Sequence, residues 1–449
     1  MLNFVSKIKS SSLIKDTAKL ASSNVLLYII PFIVTPILSR LYDPSFFGEW
    51  GVFSSTYQII NCILFLCYDY AIIKAQEDEY PCVCGLSFIV SLLIIIIVIV
   101  LFFVGNALGF NFFEVFPGKY NLFVFLLFTS VSHILLAVAN RQKRYWLMSS
   151  ANITLGILQA LIRILFGIYL IFPNGLIAGT TIAQFLTMIF LCFYIKNTIN
   201  TSFFKNINIV GITSVAKKYK KFPLYDAPAM LLLFCTFNLS LIILSFHFNI
   251  DDIGCLSIIH QMLLLPISLV GSAMGKVYYK QISEINSDMH QTEVQISTKM
   301  IKLVLVLALL PSLFISLGGD YLINLFLGSK WQNAGNIAIC LAIWSIPNIL
   351  TQPLIPIFRK RNKQNIMLIT YMINFILGIG SIILTCYFHM NIYVVLIIYS
   401  TCCAMTNYAL FFYILKLTDV SLRKTCNPLL ITFHILLIGL IFYRFNNIG

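Results

Sequence analysis

The chain has 449 residues, 59% of them apolar and 10% charged, with a formal net charge of +14 and a mean hydropathy of +0.91. Soluble domains average roughly 45–50% apolar and about 25% charged, so these values exclude a water-soluble globular domain. Nucleic-acid binders gather Lys and Arg on one face of a polar fold; here the cations are dispersed among short loops, and no nucleic acid is expected as a partner.

About 20 apolar residues cross roughly 30 Å of hydrocarbon. By that measure 1–19, with Lys7, Lys9, Lys15 and Lys19, is a cytoplasmic tail that precedes a retained helix rather than a cleavable signal. Spans follow at 20–40, 46–72, 84–108, 120–140, 147–172 and 175–196. A basic loop, 197–222, separates them from six more at 223–247, 253–281, 299–317, 334–358, 365–388 and 391–415. The tail 417–449 holds a weaker thirteenth stretch at 427–443. The expectation is an all-α polytopic membrane protein with twelve core helices, an N-lobe at 20–196 and a C-lobe at 223–416. An even number of spans per half makes both halves point the same way, as in parallel-repeat transporters.

Orientation follows from charge. Twenty-five of the 30 Lys and Arg residues fall in alternate loops. The other loops hold only Arg40, Lys119, Lys330 and Arg444. Short Lys/Arg-rich loops stay inside, which places the N-terminus in the cytoplasm of a plasma (inner) membrane protein. Cys residues such as Cys62, Cys192 and Cys235 lie inside apolar stretches and behave as small apolar groups. Cys82 and Cys84 form a C-x-C with no second pair, so no metal is expected. A faint echo links the halves: DPSFFG at 43–48 and NIDDIG at 249–254 each carry an acidic turn into a helix, with Asp43 as a cap and Pro44 at the first helical position.

Polar groups inside spans are costly and face the bundle interior or water. Arg163 sits near the middle of span 5, on one face with Asn152, Gly156, Gln159 and Gly167. Either that face lines a cavity where Arg163 attracts an anion, or its small residues pack and Arg163 pairs with a structural acid. Span 2 carries Gln58, Asn61 and Asp69, with Lys74 beyond. Asp69, and Asp226 at the start of span 7, are proton carriers or salt-bridge partners; His260 in span 8 is a proton carrier or a satisfied interior residue. Arg40 is an interface anchor or a cavity-mouth cation. There is no G-x-x-x-x-G-K-[ST] and no catalytic constellation, so no cofactor and no enzymatic activity are expected.

Several segments resemble the bacterial oligosaccharide flippase family, which exports O-antigen and related repeat units. This family belongs to the superfamily that includes multidrug exporters and the lipid II flippase. PILSRLYDPSFFG at 36–48 is similar to its P-x-L-[ST]-R-x-Y-x-P-x-x-F-G opening. YDYAII at 68–73, NRQKRY at 140–145, KFPLYDAP at 221–228, LPISLVG at 265–271 and GSKWQNAG at 328–335 resemble further landmarks. Members often carry Arg before the Tyr-Asp pair of span 2, where this chain has Cys67. The resemblance implies two six-helix lobes around a central cavity that opens alternately to each side. It implies an undecaprenyl-pyrophosphate-linked oligosaccharide as substrate, held within a lipid bilayer, with a polysaccharide polymerase and chain-length regulator as partners. On it, Arg40, Arg163 and Lys74 would receive the diphosphate, and Gln58, Asn61, Asn152 and Gln159 the sugars. Asp69, Asp226 or His260 would couple ion movement to the switch. The rivals are a cation-coupled multidrug exporter of the same superfamily and a membrane polysaccharide polymerase.

Overall fold

The computed structural model describes residues 29–109, 116–196, 207–283, 290–314, 320–361 and 363–421, with 439 and 443. The tail at 1–19, the start of span 1, 197–206 and, those two positions apart, the thirteenth stretch at 427–443 lie outside the described residues. Every regular element among the described residues is helical. The chain is an all-α polytopic membrane protein. Among the described residues seven helices are long and apolar enough to cross a membrane, or eight if one bent pair counts as a single span.

The helices in order are α1 (Ile29–Leu41), α2 (Pro44–Ile63), α3 (Tyr68–Lys74), α4 (Tyr80–Ala107), α5 (Lys119–Arg141), α6 (Tyr145–Tyr169), α7 (Gly175–Ile195) and α8 (Ile209–Lys218). After a π-helical turn at Phe222–Asp226 come α9 (Ala227–Ser245), α10 (Ile250–Ser283), α11 (His290–Phe314), α12 (Asp320–Leu327), α13 (Gln332–Thr351), α14 (Pro356–Lys360), α15 (Gln364–Tyr387) and α16 (Ile392–Leu417). Pro44 does open α2, and Asn174 caps α7 by accepting from Leu176 N and Ile177 N at 3.0 and 3.3 Å.

Two expectations from hydropathy change. Span 2 is not one rod: α2 and α3 meet at a 50° bend. Leu66 and Cys67 adopt φ values of 46° and 61°. That left-handed conformation interrupts the helical ladder and is uncommon for residues other than glycine. Burial of Leu64 and Phe65 holds the bend. Second, the basic loop contains α8. Asn208 caps it, accepting from Gly211 N at 2.6 Å. The helix docks on α4, with Gly211 backed by Cys82 Sγ and Lys218 reaching Glu79 at 2.5 Å.

The chain forms two compact units, one of Met1–Tyr42 and Val52–Phe234, the other of Asp43–Gly51 and Cys235–Gly449. In the first, α6 lies along α7, and α5 bridges α7 to α3 and α4. In the second, α13 is central and packs on α10, α11 and α16. The membrane window around it, Ser329–Leu354, is 89% buried, against 17% for Asn365–Tyr387, so α15 presents most of its surface to lipid. The two echoing segments cross within this unit. A Cβ on Gly48 would strike the Ile250 carbonyl, and one on Gly254 the Pro44 carbonyl. Around the crossing, Ser257 Oγ donates to Phe47 O at 3.2 Å, Phe47 meets Trp331 edge-on at 5.0 Å, and Lys330 holds Asp43 at 2.6 Å.

Candidate functional site

The polar stripe of α6 divides into two kinds of residue. Gly156 and Gly167 are packing positions, facing Ile30 on one side and Leu41 and Tyr42 on the other. Close helix approach requires small residues, so these glycines seat α1. Arg163 is buried between α6 and α7. Its Nη2 donates to Thr180 Oγ1 at 2.6 Å, and its backbone carbonyl accepts from Tyr42 Oη at 2.7 Å. Tyr57 lies within its field and packs on Phe125 at 4.8 Å. Since α6 ends at Tyr169, six residues on, Arg163 lies about 9 Å from that end at 1.5 Å per residue, off the middle of the span. Gly179 makes this possible, because a Cβ there would lie 2.9 Å from Arg163 Cγ.

The other candidates occupy different levels. Arg40 is exposed at the end of α1, where Nη1 donates to Pro36 O at 2.7 Å. Gln58 and Asn61 are half-buried on α2, and the Asn61 Oδ1 atom is buried without a hydrogen-bond partner. Asn152 and Gln159 are half-buried on α6. Asp69 sits in the first turn of α3, facing the N–H groups of Asp69 and Tyr70. The bend places Cys67 beside it, and the π turn brings Asp226 within reach of the same thiol. Lys74, in the last turn of α3, holds its Nζ 5.4 Å from the ring centre of Phe222 in the π turn. Two segments 157 residues apart in sequence thus place the charges of Asp69 and of the exposed Asp226 within reach of one thiol, while Arg163 lies apart from them at the lysine-poor end of α6. His260 belongs to the second unit, stacked against Phe237 and Trp344, its Nε2 buried without a hydrogen-bond partner.

Sequence patterns did not mark Thr180, Tyr42 or Tyr57 as neighbours of Arg163, since Thr180 and Tyr57 lie on other helices and Tyr42 just past the end of α1. Nor did they mark Glu293. Its buried carboxylate binds Lys360 at 2.7 Å and Arg361 at 3.0 Å. Among the described residues no group of three His, Cys, Asp or Glu is placed to hold a metal ion.

The described residues thus form several membrane-length helices with one guanidinium, that of Arg163, buried between two of them. The sequence matches the family described as polysaccharide biosynthesis protein over residues 37–336, and the chain belongs to that family. Solved structures share its fold. The lipid II flippase MurJ in an inward closed conformation superposes with a TM-score of 0.70 at 14% identity, covering 96% of this chain and 98% of that one. An inward-facing multidrug resistance transporter of the MATE family gives 0.64 at 14% identity, covering 90% and 96%. A transporter of the same MOP superfamily from Pyrococcus furiosus gives 0.59 at 13%, covering 90% and 96%. At such identities the likeness is one of fold. No curated protein matches the chain. The chain is therefore a polytopic membrane member of a polysaccharide biosynthesis family, with a fold shared by a lipid II flippase and by MATE transporters.

Proposed function

We propose that the protein moves an undecaprenyl-pyrophosphate-linked oligosaccharide, an O-antigen or capsule repeat unit, from the cytoplasmic to the periplasmic face of the inner membrane by alternating access. The observation that carries this reading is the pairing of a polysaccharide biosynthesis family with a fold shared by a lipid II flippase. The chemistry is consistent. A diphosphate and its sugars cannot cross hydrocarbon unaided, because each buried unpaired polar group costs several kcal/mol. Guanidinium groups suit phosphate through charge-assisted, bidentate hydrogen bonds. Arg163 supplies one inside the first unit, and Arg40 and Lys74 supply cations at its two ends. Gln58, Asn61, Asn152 and Gln159 offer donors and acceptors for hydroxyls. Asp69 and Asp226, whose charges both act on Cys67 at the bend, are the groups we assign to ion coupling, with His260 as the candidate in the second unit.

The lobes at 20–196 and 223–416, and a cytoplasmic N-terminus, are part of this proposal, as is cooperation with a polymerase and chain-length regulator. The test is deletion of the gene followed by glycan analysis. Loss of surface polysaccharide with complete lipid-linked units retained on the cytoplasmic side is the expected result. Intact surface polysaccharide together with increased retention of cationic dyes would instead identify a drug exporter. Wild-type flipping by Arg163→Ala at normal expression would remove Arg163 from the binding role.

A further inference from the structure

Six residues of the second unit, Arg361, Lys363, Tyr413, Lys416, Leu417 and Asp419, line a cavity of about 390 Å³. That is within the size range of small-ligand pockets, roughly 300–1,000 Å³. Arg361 and Lys363 come from the link between α14 and α15, the next three from the last turn of α16, and Asp419 from just beyond it. Three cations therefore face one carboxylate. The buried carboxylate of Glu293, which binds Arg361, is already shared with Lys360. Neither Lys363 nor Lys416 has an ion-pair partner among the described residues. Arg361 Nε is buried without a hydrogen-bond partner.

The cavity is also ordered. Tyr413 stacks on fully buried Phe358 at 6.1 Å, and Lys363 Nζ donates to Tyr413 Oη at 3.3 Å. Lys363 is the N-cap of the 24-residue α15 and makes no side-chain cap hydrogen bond, which leaves the positive end of that helix toward the cavity. The opposing carbonyls at the end of α16 are occupied. Thr418, Asp419 and Val420 donate backbone N–H groups to Ile414, Lys416 and Leu415. The site therefore favours an anion.

Its place in the fold narrows the anion. It lies where two apolar spans, Asn365–Tyr387 and Ile392–Leu417, meet the membrane surface, on the end of the bundle rich in Lys and Arg. From there α15 exposes Leu368, Ile369, Met372, Ile373 and Ile376, an apolar face long enough to accompany an acyl chain. Basic pockets between helices on the cytoplasmic side hold lipid phosphates.

We propose that this cavity binds the phosphate of an anionic phospholipid headgroup. The site is independent of the translocation reading and contains none of its residues. The test uses the purified full-length chain. Its thermal unfolding is followed while phosphatidylglycerol, phosphatidylcholine or inorganic phosphate is added, for the wild type, a Lys363→Gln/Lys416→Gln variant and a Lys363→Arg/Lys416→Arg variant. A ligand that binds the folded state raises the midpoint saturably. Phosphatidylglycerol is expected to do so, with phosphatidylcholine and millimolar phosphate ineffective. Each lysine near a lipid phosphate contributes about fivefold, so the double Gln variant needs roughly 25-fold more lipid for half-saturation. The Arg pair retains the wild-type response, which separates a charge effect from misfolding. Equal responses of wild type and Gln variant overturn the site. Saturation by inorganic phosphate without preference for phosphatidylglycerol overturns the lipid assignment.

Discussion

Gly254→Ala tests the helix crossing most directly. A Cβ at that position would overlap the Pro44 carbonyl oxygen, 2.7 Å from its carbon and 3.0 Å from Gly48 N. All three are backbone atoms, so no rotamer change relieves the overlap. Ordinary contact begins near 3.5 Å, and relieving the overlap with the carbonyl oxygen would require α2 and α10 to part by about 1.5 Å. Overpacking costs ~1–3 kcal/mol, and a backbone-only clash belongs at the upper end. Replacing glycine inside a helix returns about 1 kcal/mol, which leaves a net loss of about 2 kcal/mol. Parting the helices also stretches the Ser257 hydrogen bond to Phe47 and the Phe47–Trp331 contact. Gly380 on α15 is the control, because a Cβ there meets nothing within 4 Å. Gly380→Ala should keep the propensity gain and be more stable than wild type by up to about 1 kcal/mol. Thermal unfolding in detergent, read from tryptophan emission, compares the two, since Trp331 is fully buried beside the crossing. Gly254→Ala unfolding at or above the wild-type temperature would refute the close approach.

The remaining expectations concern charge. Glu293→Gln strips the carboxylate from Lys360 and Arg361, whose side chains are 17% and 35% exposed. Breaking a fully buried pair costs ~3–5 kcal/mol. Solvent around the cations reduces the expected loss to about 2 kcal/mol, readable as a lower unfolding midpoint; an unchanged midpoint contradicts the role. The docking of α8 should depend on pH. Its hydrogen bond from Lys218 holds the Glu79 carboxyl below its ordinary value, and Glu79 raises Lys218. A depressed carboxyl contributes above its ordinary value and loses that contribution as pH falls through the lowered one. A raised amine contributes below its ordinary value and loses it as pH rises through the raised one. Hydrogen exchange across Ile209–Lys218 should therefore be slow at neutral pH and faster at both extremes, and faster still in high salt, which screens exposed charges. Exchange that ignores pH and salt would mean that the packing of Gly211 on Cys82 and of the preceding Ile207 on Gly85 suffices. Asp69→Asn should remove the pH dependence of transport in proteoliposomes while leaving expression intact. A pH profile like that of wild type would take Asp69 out of the coupling role.

Spans, loops and the cation asymmetry were legible in the sequence because hydropathy and charge are local sums over about 20 residues. Pro44 at the start of α2 was legible for the same reason: one residue's backbone restriction is a local property. The bend at Leu66 and Cys67 was not, since neither residue is a glycine or proline and the left-handed turn is held by buried neighbours. Nor was α8, whose ten residues look like a basic loop until Glu79 and Cys82 meet them. The polar stripe of α6 was read correctly as one face, yet its glycines proved to seat α1 while Arg163 reached Thr180. Sequence alone determined that this chain crosses a membrane many times as helices. Its tertiary structure decided which polar groups meet: Arg163 with Thr180, Lys218 with Glu79, Asp43 with Lys330 across 287 positions, and the basic cavity at the end of α16. Those pairings depend on which helix faces which, and helix packing is set by the summed fit of many side chains rather than by any local run of residues.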